Sequence, residues 1–226
     1  MREAPSPNHD ERPTDTPIDM LVLHYTGMRT GQEAINRLRD PDAAIRVSSH
    51  YVVEEDGQVW RLVPEERRAW HAGVSFWRGH HQVNGRCIGI EIVNPGHEWG
   101  YRPFPHAQME AARDLCQGIL ARHPIPARNV VGHSDIAPDR KEDPGELFDW
   151  PFLARHGVGL WPEARATPVP LADVAATLAA IGYPIPDLPT TVRAFQRRWR
   201  PSLLTGEPDE ATRERMTAVE AAYEGQ

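Results

Sequence analysis

Met20-Leu21-Val22-Leu23-His24 is a continuous apolar run closed by one polar residue. Its length and composition are those of a buried strand that delivers a single functional side chain at its tip. To its C-terminal side, residues 31–39 (GQEAINRLR) place Ala34, Ile35 and Leu38 at helical spacing. His50 to Glu54 and Val59 to Val63 flank Asp56-Gly57, the pattern of a hairpin. Cys87 to Val93 (CIGIEIV) predicts a second buried strand, with Ile88, Ile90 and Ile92 on one face and Gly89 and Glu91 on the other. Residues 105–123 carry Pro105 at the start and Met109, Ala112, Leu115, Cys116 and Ile119 along one stripe, which predicts a long amphipathic helix. Arg128 to Gly132 is a further short strand, and a short helix near 145–156 precedes Trp161-Pro162. Strands and helices alternate, so the expected fold is α/β, a central mixed β-sheet covered by helices.

From Glu163 to Pro170 the chain is small, polar and proline-bearing, and reads as a linker. Beyond it, Leu171 to Ile181, Thr190 to Trp199 and Asp209 to Tyr223 are three helical patterns without a strand signal, with Asp209 placed to cap the last. The expected organisation is therefore a polar N-terminal arm (1–17), a catalytic domain (18–162), a linker (163–170) and a small C-terminal three-helix domain (171–226).

With 226 residues, 40% of them hydrophobic, the chain can build one substantial core and a smaller module. A formal charge of −7 without a basic tract argues against nucleic acid as a partner. Cys87 and Cys116 each sit in an apolar stretch and read as buried thiols, which favours a reducing compartment. The opening MREAPSPNHDERPTDTP lacks the apolar core of a secretion signal, and no run approaches the roughly 20 apolar residues of a membrane span. A cytoplasmic monomer is expected; a leader removed from the native N-terminus would make it periplasmic.

The segment richest in chemistry is Gly132-His133-Ser134-Asp135-Ile136-Ala137-Pro138-Asp139-Arg140-Lys141-Glu142-Asp143-Pro144-Gly145. A histidine at a strand end and an aspartate ten residues on, in a proline-bearing loop, can turn toward one point. His24 supplies a third ligand if its strand shares a sheet with the one before His133. Two imidazoles and one carboxylate suit a single zinc ion, with a fourth position left for a water whose pKa falls to about 7. Any one of the eleven histidines, taken alone, has the plainer reading of a surface or hydrogen-bonded residue. Glu91 is placed either to handle a proton beside such a metal or to form an ordinary strand-face ion pair. Lys141 either faces the oxyanion of an attacked amide or is an exposed loop lysine. No HExxH helix occurs, which argues against an ordinary zinc peptidase.

The strings LVLHYT, IRVSSHYVVEEDG, RAWHAGVS, CIGIEIVN and GHSDIAPDRKEDPG together resemble the zinc N-acetylmuramoyl-L-alanine amidases, a family related to phage amidases and peptidoglycan recognition proteins. The likeness runs from Leu21 to about Trp150 and is strongest to the bacterial enzymes that recycle anhydro-muropeptides. It implies zinc on His24, His133 and Asp143, with Glu91 and Lys141 as the catalytic pair. It implies substrate contacts from Arg46, to a muropeptide carboxylate, and from Trp70 and His71 in the AWHAG string, where Trp70 is either a sugar platform or a core residue. Non-catalytic relatives typically lack a metal ligand, whereas all five residues are present here. Tyr25 stands where the recycling enzymes have asparagine and Gln82 where they have a second arginine; both bear on the preference for anhydro-sugar ends.

The strings VRAFQRRWRP and TGEPDEAT resemble the three-helix peptidoglycan-binding domain, although the spacing of Val192, Phe195 and Trp199 suits any small bundle. Periplasmic lipoprotein amidases pair the same two domains. The implied activity is hydrolysis of the amide between (anhydro-)N-acetylmuramic acid and L-alanine, in cell-wall recycling. The alternatives are a periplasmic amidase acting on intact peptidoglycan and a non-catalytic recognition protein.

Overall fold

The first strand pairing of the chain comes from its most polar segment. In the computed structural model, which describes residues 1–162 and 166–225, β1 (Arg2–Glu3) and β2 (His9–Glu11) both lie in the N-terminal arm. Ala4, Ser6 and Asn8 are buried, Ser6 donating to the Leu38 carbonyl and Asn8 to those of Asp40 and Val47. The arm is thus fixed by side-chain bonds to backbone, a device that composition alone conceals.

Then follow β3 (Met20–Tyr25), α1 (Gly31–Arg39), β4 (Tyr51–Val53), β5 (Val59–Arg61), β6 (Arg67–Ala69), β7 (Phe76–Trp77), β8 (His80–His81) and β9 (Cys87–Ile92). After these come α2 (Gly96–Trp99), α3 (His106–Arg122), β10 (Val130–Gly132), α4 (His133–Ile136) and α5 (Trp150–Arg155). The C-terminal helices are α6 (Val174–Ile181), α7 (Leu188–Trp199) and α8 (Glu210–Glu224). Six strands form a mixed sheet in the order β1-β5-β4-β9-β3-β10; β4, β9, β3 and β10 run parallel and the β4–β5 hairpin is antiparallel. Two small antiparallel pairs, β2 with β6 and β7 with β8, flank it.

Alternation along the central strands decides what each face does. Leu21 and Leu23 of β3 join Ile88, Ile90 and Ile92 of β9 against Met109, Ala112, Leu115, Cys116 and Ile119 of α3. Each buried Leu, Ile or Met among them contributes about 1.5–3 kcal/mol. Met20 and Val22 face the other way, into a cluster with Val131, Ile136 and the apolar faces of α6, α7 and α8. His24 and Glu91, in phase with Val22 and Gly89, belong to this second face. Both cysteines are buried and unpaired, and burial pushes each thiol up to about 12.

Some boundaries differ from the sequence reading. Helix α7 begins at Leu188 rather than Thr190, because Asp187 accepts from the Thr190 N–H and Pro189 is tolerated in the first turn. The helix expected near 145–156 starts at Trp150, capped by Asp149. A 3-10 turn at Ala127–Asn129 takes the first residues of the strand expected from Arg128, and another at Leu171–Asp173 precedes α6. Residues 163–165 of the expected linker, and residue 226 of the C-terminal domain, lie outside the described residues.

Candidate metal centre

Parallel register brings together residues more than a hundred positions apart. Gly132 pairs with Leu23, so the next step along both strands sets His133 beside His24, and Glu91 is the direct partner of His24 on the other side. Asp143 returns to the same point because the Ser134 N–H donates to its carbonyl at 2.9 Å. His24 Nδ1 and His133 Nδ1 are 2.9 Å apart, and each lies 3.0 Å from Asp143 Oδ2. All three residues are buried.

The outer nitrogens of both rings are already engaged. His133 Nε2 donates to the Ala72 carbonyl at 3.1 Å, which leaves Nδ1 with a bare lone pair. His24 Nε2 lies 2.9 Å from His71 Nδ1, and His71 Nε2 lies 3.3 Å from Cys87 Sγ. With His71 protonated toward Cys87, His24 donates to His71 and its own Nδ1 is bare as well. Burial and the neighbouring imidazole of His133 push His24 down to about 4, so it is neutral near pH 7. Burial alone would raise the Asp143 carboxyl, but the two imidazoles outweigh it and hold the group well below the usual carboxylate range. Three lone-pair atoms converge without a proton to share, at separations close to the roughly 3.3 Å between ligand atoms of a tetrahedral zinc bound at about 2.0–2.1 Å. Among the described residues this is the one group of His, Cys, Asp and Glu with metal-binding spacing.

An open groove of about 350 Å³ leads to these atoms, its lining including Tyr25, Arg37, Val47, Arg140, Lys141 and Glu142. Glu91 and Lys141 both line it. Glu91 Oε2 is buried without a hydrogen-bond partner. Burial raises the Glu91 pKa well above the carboxylate range, Asp143 adds to the rise and Lys141 opposes it. His71 lines the floor behind His24, where a Cβ on Gly89 would meet its ring at 2.5 Å. Arg46 is exposed and stacks over Trp70, 5.1 Å from the ring centre, while Trp70 Nε1 donates to Asp10; neither side chain is among those lining the groove.

Several contributors carry no local sequence signal. Arg140 clamps the carbonyls of Ala72 and Val74, and so fixes the acceptor that orients His133. Tyr25 donates to His97 Nδ1 at 3.0 Å; His97 stacks on Tyr101 and bonds Glu146 through Nε2, making a polar aromatic wall beside the ligands. Only the position of Tyr25 next to His24 hinted at this wall.

Residues 14–146 match the sequence model of a family described as N-acetylmuramoyl-L-alanine amidase. AmiD of Escherichia coli K12, an N-acetylmuramoyl-L-alanine amidase, is 39% identical over 224 residues, covering 86% of this chain and 79% of its own. The 1,6-anhydro-N-acetylmuramyl-L-alanine amidase AmpD of Enterobacter cloacae is 37% identical over 164 residues, 66% of this chain and 86% of its own. A solved structure of E. coli AmiD with its substrate anhydro-N-acetylmuramic acid-L-Ala-D-gamma-Glu-L-Lys superposes with a TM-score of 0.82 at 38% identity, covering 93% of this chain and 91% of that one. The metal-type cluster, the mixed sheet that assembles it and these matches agree: the chain belongs to the N-acetylmuramoyl-L-alanine amidase family.

Proposed function

We propose that this amidase holds one zinc ion on His24 Nδ1, His133 Nδ1 and Asp143, and uses Glu91 and Lys141 to cleave the amide between anhydro-N-acetylmuramic acid and L-alanine in soluble muropeptides. The observation that carries the reading is the triangle of ligand atoms, 2.9–3.0 Å on each side, open toward a groove that also contains Glu91. A zinc ion held there supplies a Lewis acid for the amide carbonyl and acidifies a water molecule.

Glu91, whose pKa burial raises, takes a proton from the attacking water and then delivers it to the alanine nitrogen as the C–N bond breaks. Lys141 places positive charge opposite the carbonyl oxygen as that oxygen gains charge. Arg37, Arg140 and Lys141 give the groove three cations, a lining suited to the carboxylates of a stem peptide. Acceptance of an anhydro-sugar end is supported by the substrate bound in the AmiD complex.

The test is turnover of anhydro-muropeptide and of purified sacculi by zinc-loaded protein, with His24→Ala as control. Preferential release of peptide from the soluble fragment fits recycling, and equal release from sacculi replaces that role with wall cleavage. No release from either, with zinc bound, removes the enzymatic reading of this site.

A further inference from the structure

His133 hangs at the end of β10, a three-residue edge strand paired on one side only. Short edge strands with few hydrogen bonds open easily, yet a metal ligand must be held within a fraction of an ångström. Two adjacent arginines of α7 meet this need.

Arg198 is 2% exposed, its guanidinium lying between the rings of Trp150 (4.1 Å) and Trp199 (4.4 Å). Its Nη2 donates to the Val130 carbonyl of β10 at 2.9 Å, and its Nη1 to Asp135 Oδ2 at 2.8 Å. Asp135 is fully buried, two residues beyond His133 on α4. Its Oδ2 also accepts the Gly132 N–H at 2.8 Å, and its Oδ1 accepts the Tyr183 hydroxyl at 2.6 Å. The preceding residue, Arg197, donates to Glu142 Oε1 at 3.1 Å and lies 3.7 Å from Glu146. Glu142 immediately precedes Asp143. One helix therefore grips the ligand loop at both ends, at Val130 and Asp135 beside His133 and at Glu142 beside Asp143.

We propose that Arg197 and Arg198 are positioning residues of the metal centre, so that the C-terminal helices set the ligand geometry in addition to any glycan binding. This rests on the zinc reading above. Outer contacts that orient ligands typically change metal affinity 10–100-fold when removed.

The test uses the full chain as Arg198→Lys, Arg197→Gln and the double variant. Zinc affinity is measured by competition with a chromogenic chelator well below the melting temperature of each zinc-free protein. The double variant is expected to bind zinc about 10–100-fold more weakly. Its activity should fall at limiting zinc and recover when zinc is raised. A purely architectural role would lower the melting temperature and leave the affinity of the folded protein unchanged. If the double variant does not fold, Arg197→Gln decides alone, because its partner Glu142 has a 54% exposed side chain and tolerates release; about tenfold weaker zinc binding supports the proposal. Folded variants with native zinc affinity overturn it. If the native chain binds no zinc, or His24→Ala binds it equally well, the metal reading itself fails and this proposal falls with it.

Discussion

Gly89→Ala adds one methyl group at the point where the strand β9 meets the back of the metal centre. An ideal Cβ there would lie 2.5–2.6 Å from three atoms of the His71 ring, well inside ordinary contact distance. Carbon atoms settle at about 3.5–4.0 Å, so ring and strand must separate by roughly 1 Å. The strand cannot yield easily, since the Gly89 N–H donates to His50 Nδ1 at 3.0 Å and its carbonyl accepts from Ser49 and His50. The ring is held as tightly, between His24 Nε2 and Cys87 Sγ. Overpacking of this kind costs about 1–3 kcal/mol, equivalent to about 2–12 °C in melting temperature for a chain of this size. The displaced ring also loses its 2.9 Å contact with His24, and with it the bond that orients the ligand. Zinc affinity should then drop about 10–100-fold. Thermal melts of zinc-free protein and chelator competition separate the two effects. A native melting temperature in Gly89→Ala would refute the close packing, and a lowered melting temperature with native zinc affinity would refute the orienting role of His71.

Three other outcomes follow from the same geometry. Glu91→Ala should retain zinc, measured by metal analysis, while peptide release from muropeptide falls about 10²–10⁴-fold; undiminished release removes Glu91 from the chemistry. Tyr183→Phe leaves a lone pair of the fully buried Asp135 without its 2.6 Å donor and should cost about 1–3 kcal/mol, read as a drop of about 2–12 °C in melting temperature. At Glu65, burial alone would raise the pKa, but hydrogen bonds from Arg122, Tyr51 and His123 outweigh it and bring it down to about 2. A carboxylate held below its unfolded value of 4.5 stabilises the fold fully above pH 4.5 and loses that effect as pH falls toward 2. Denaturant melts between pH 2 and 6 should therefore show the native chain ahead of Glu65→Gln at pH 6, by about 1–2 kcal/mol once solvent screening of the half-exposed Arg122 is allowed for, with the gap closing below pH 4.5; a pH-independent gap contradicts the assignment.

What could be read from the sequence was periodic or local. The alternation in CIGIEIV put the isoleucines on one face and Glu91 on the other, the structure sets the isoleucine face against α3, and the stripe from Met109 to Ile119 gave α3 to within a residue at each end. The N-terminal arm carries neither kind of pattern, since Ser6 and Asn8 bury polar side chains against carbonyls that only the fold brings near. Register is equally silent: nothing in residues 20–24 or 130–133 states that Gly132 pairs with Leu23, and that single offset is what sets the two histidines side by side. The substrate role of Arg46 is carried by the resemblance alone, and in the structure its guanidinium lies over the Trp70 ring.

The strand that opened the sequence reading joins the C-terminal helices to the site. Leu21 and Leu23 serve the α3 core, so their neighbours Met20, Val22 and His24 must point to the other side. On that side Met20 and Val22 meet the cluster of α6, α7 and α8, and two residues on from Val22 the same face presents His24 to the His133 and Asp143 group that could hold a metal. The face that buries the C-terminal helices is thus continuous with the face that assembles the metal centre. Val131 and Ile136, on either side of His133 in the sequence, are buried in the same cluster as Val192, Phe195 and Trp199 of α7. The C-terminal helices and the strand carrying His24 share one apolar cluster, so a change that loosens that cluster is expected to weaken zinc binding at the candidate site.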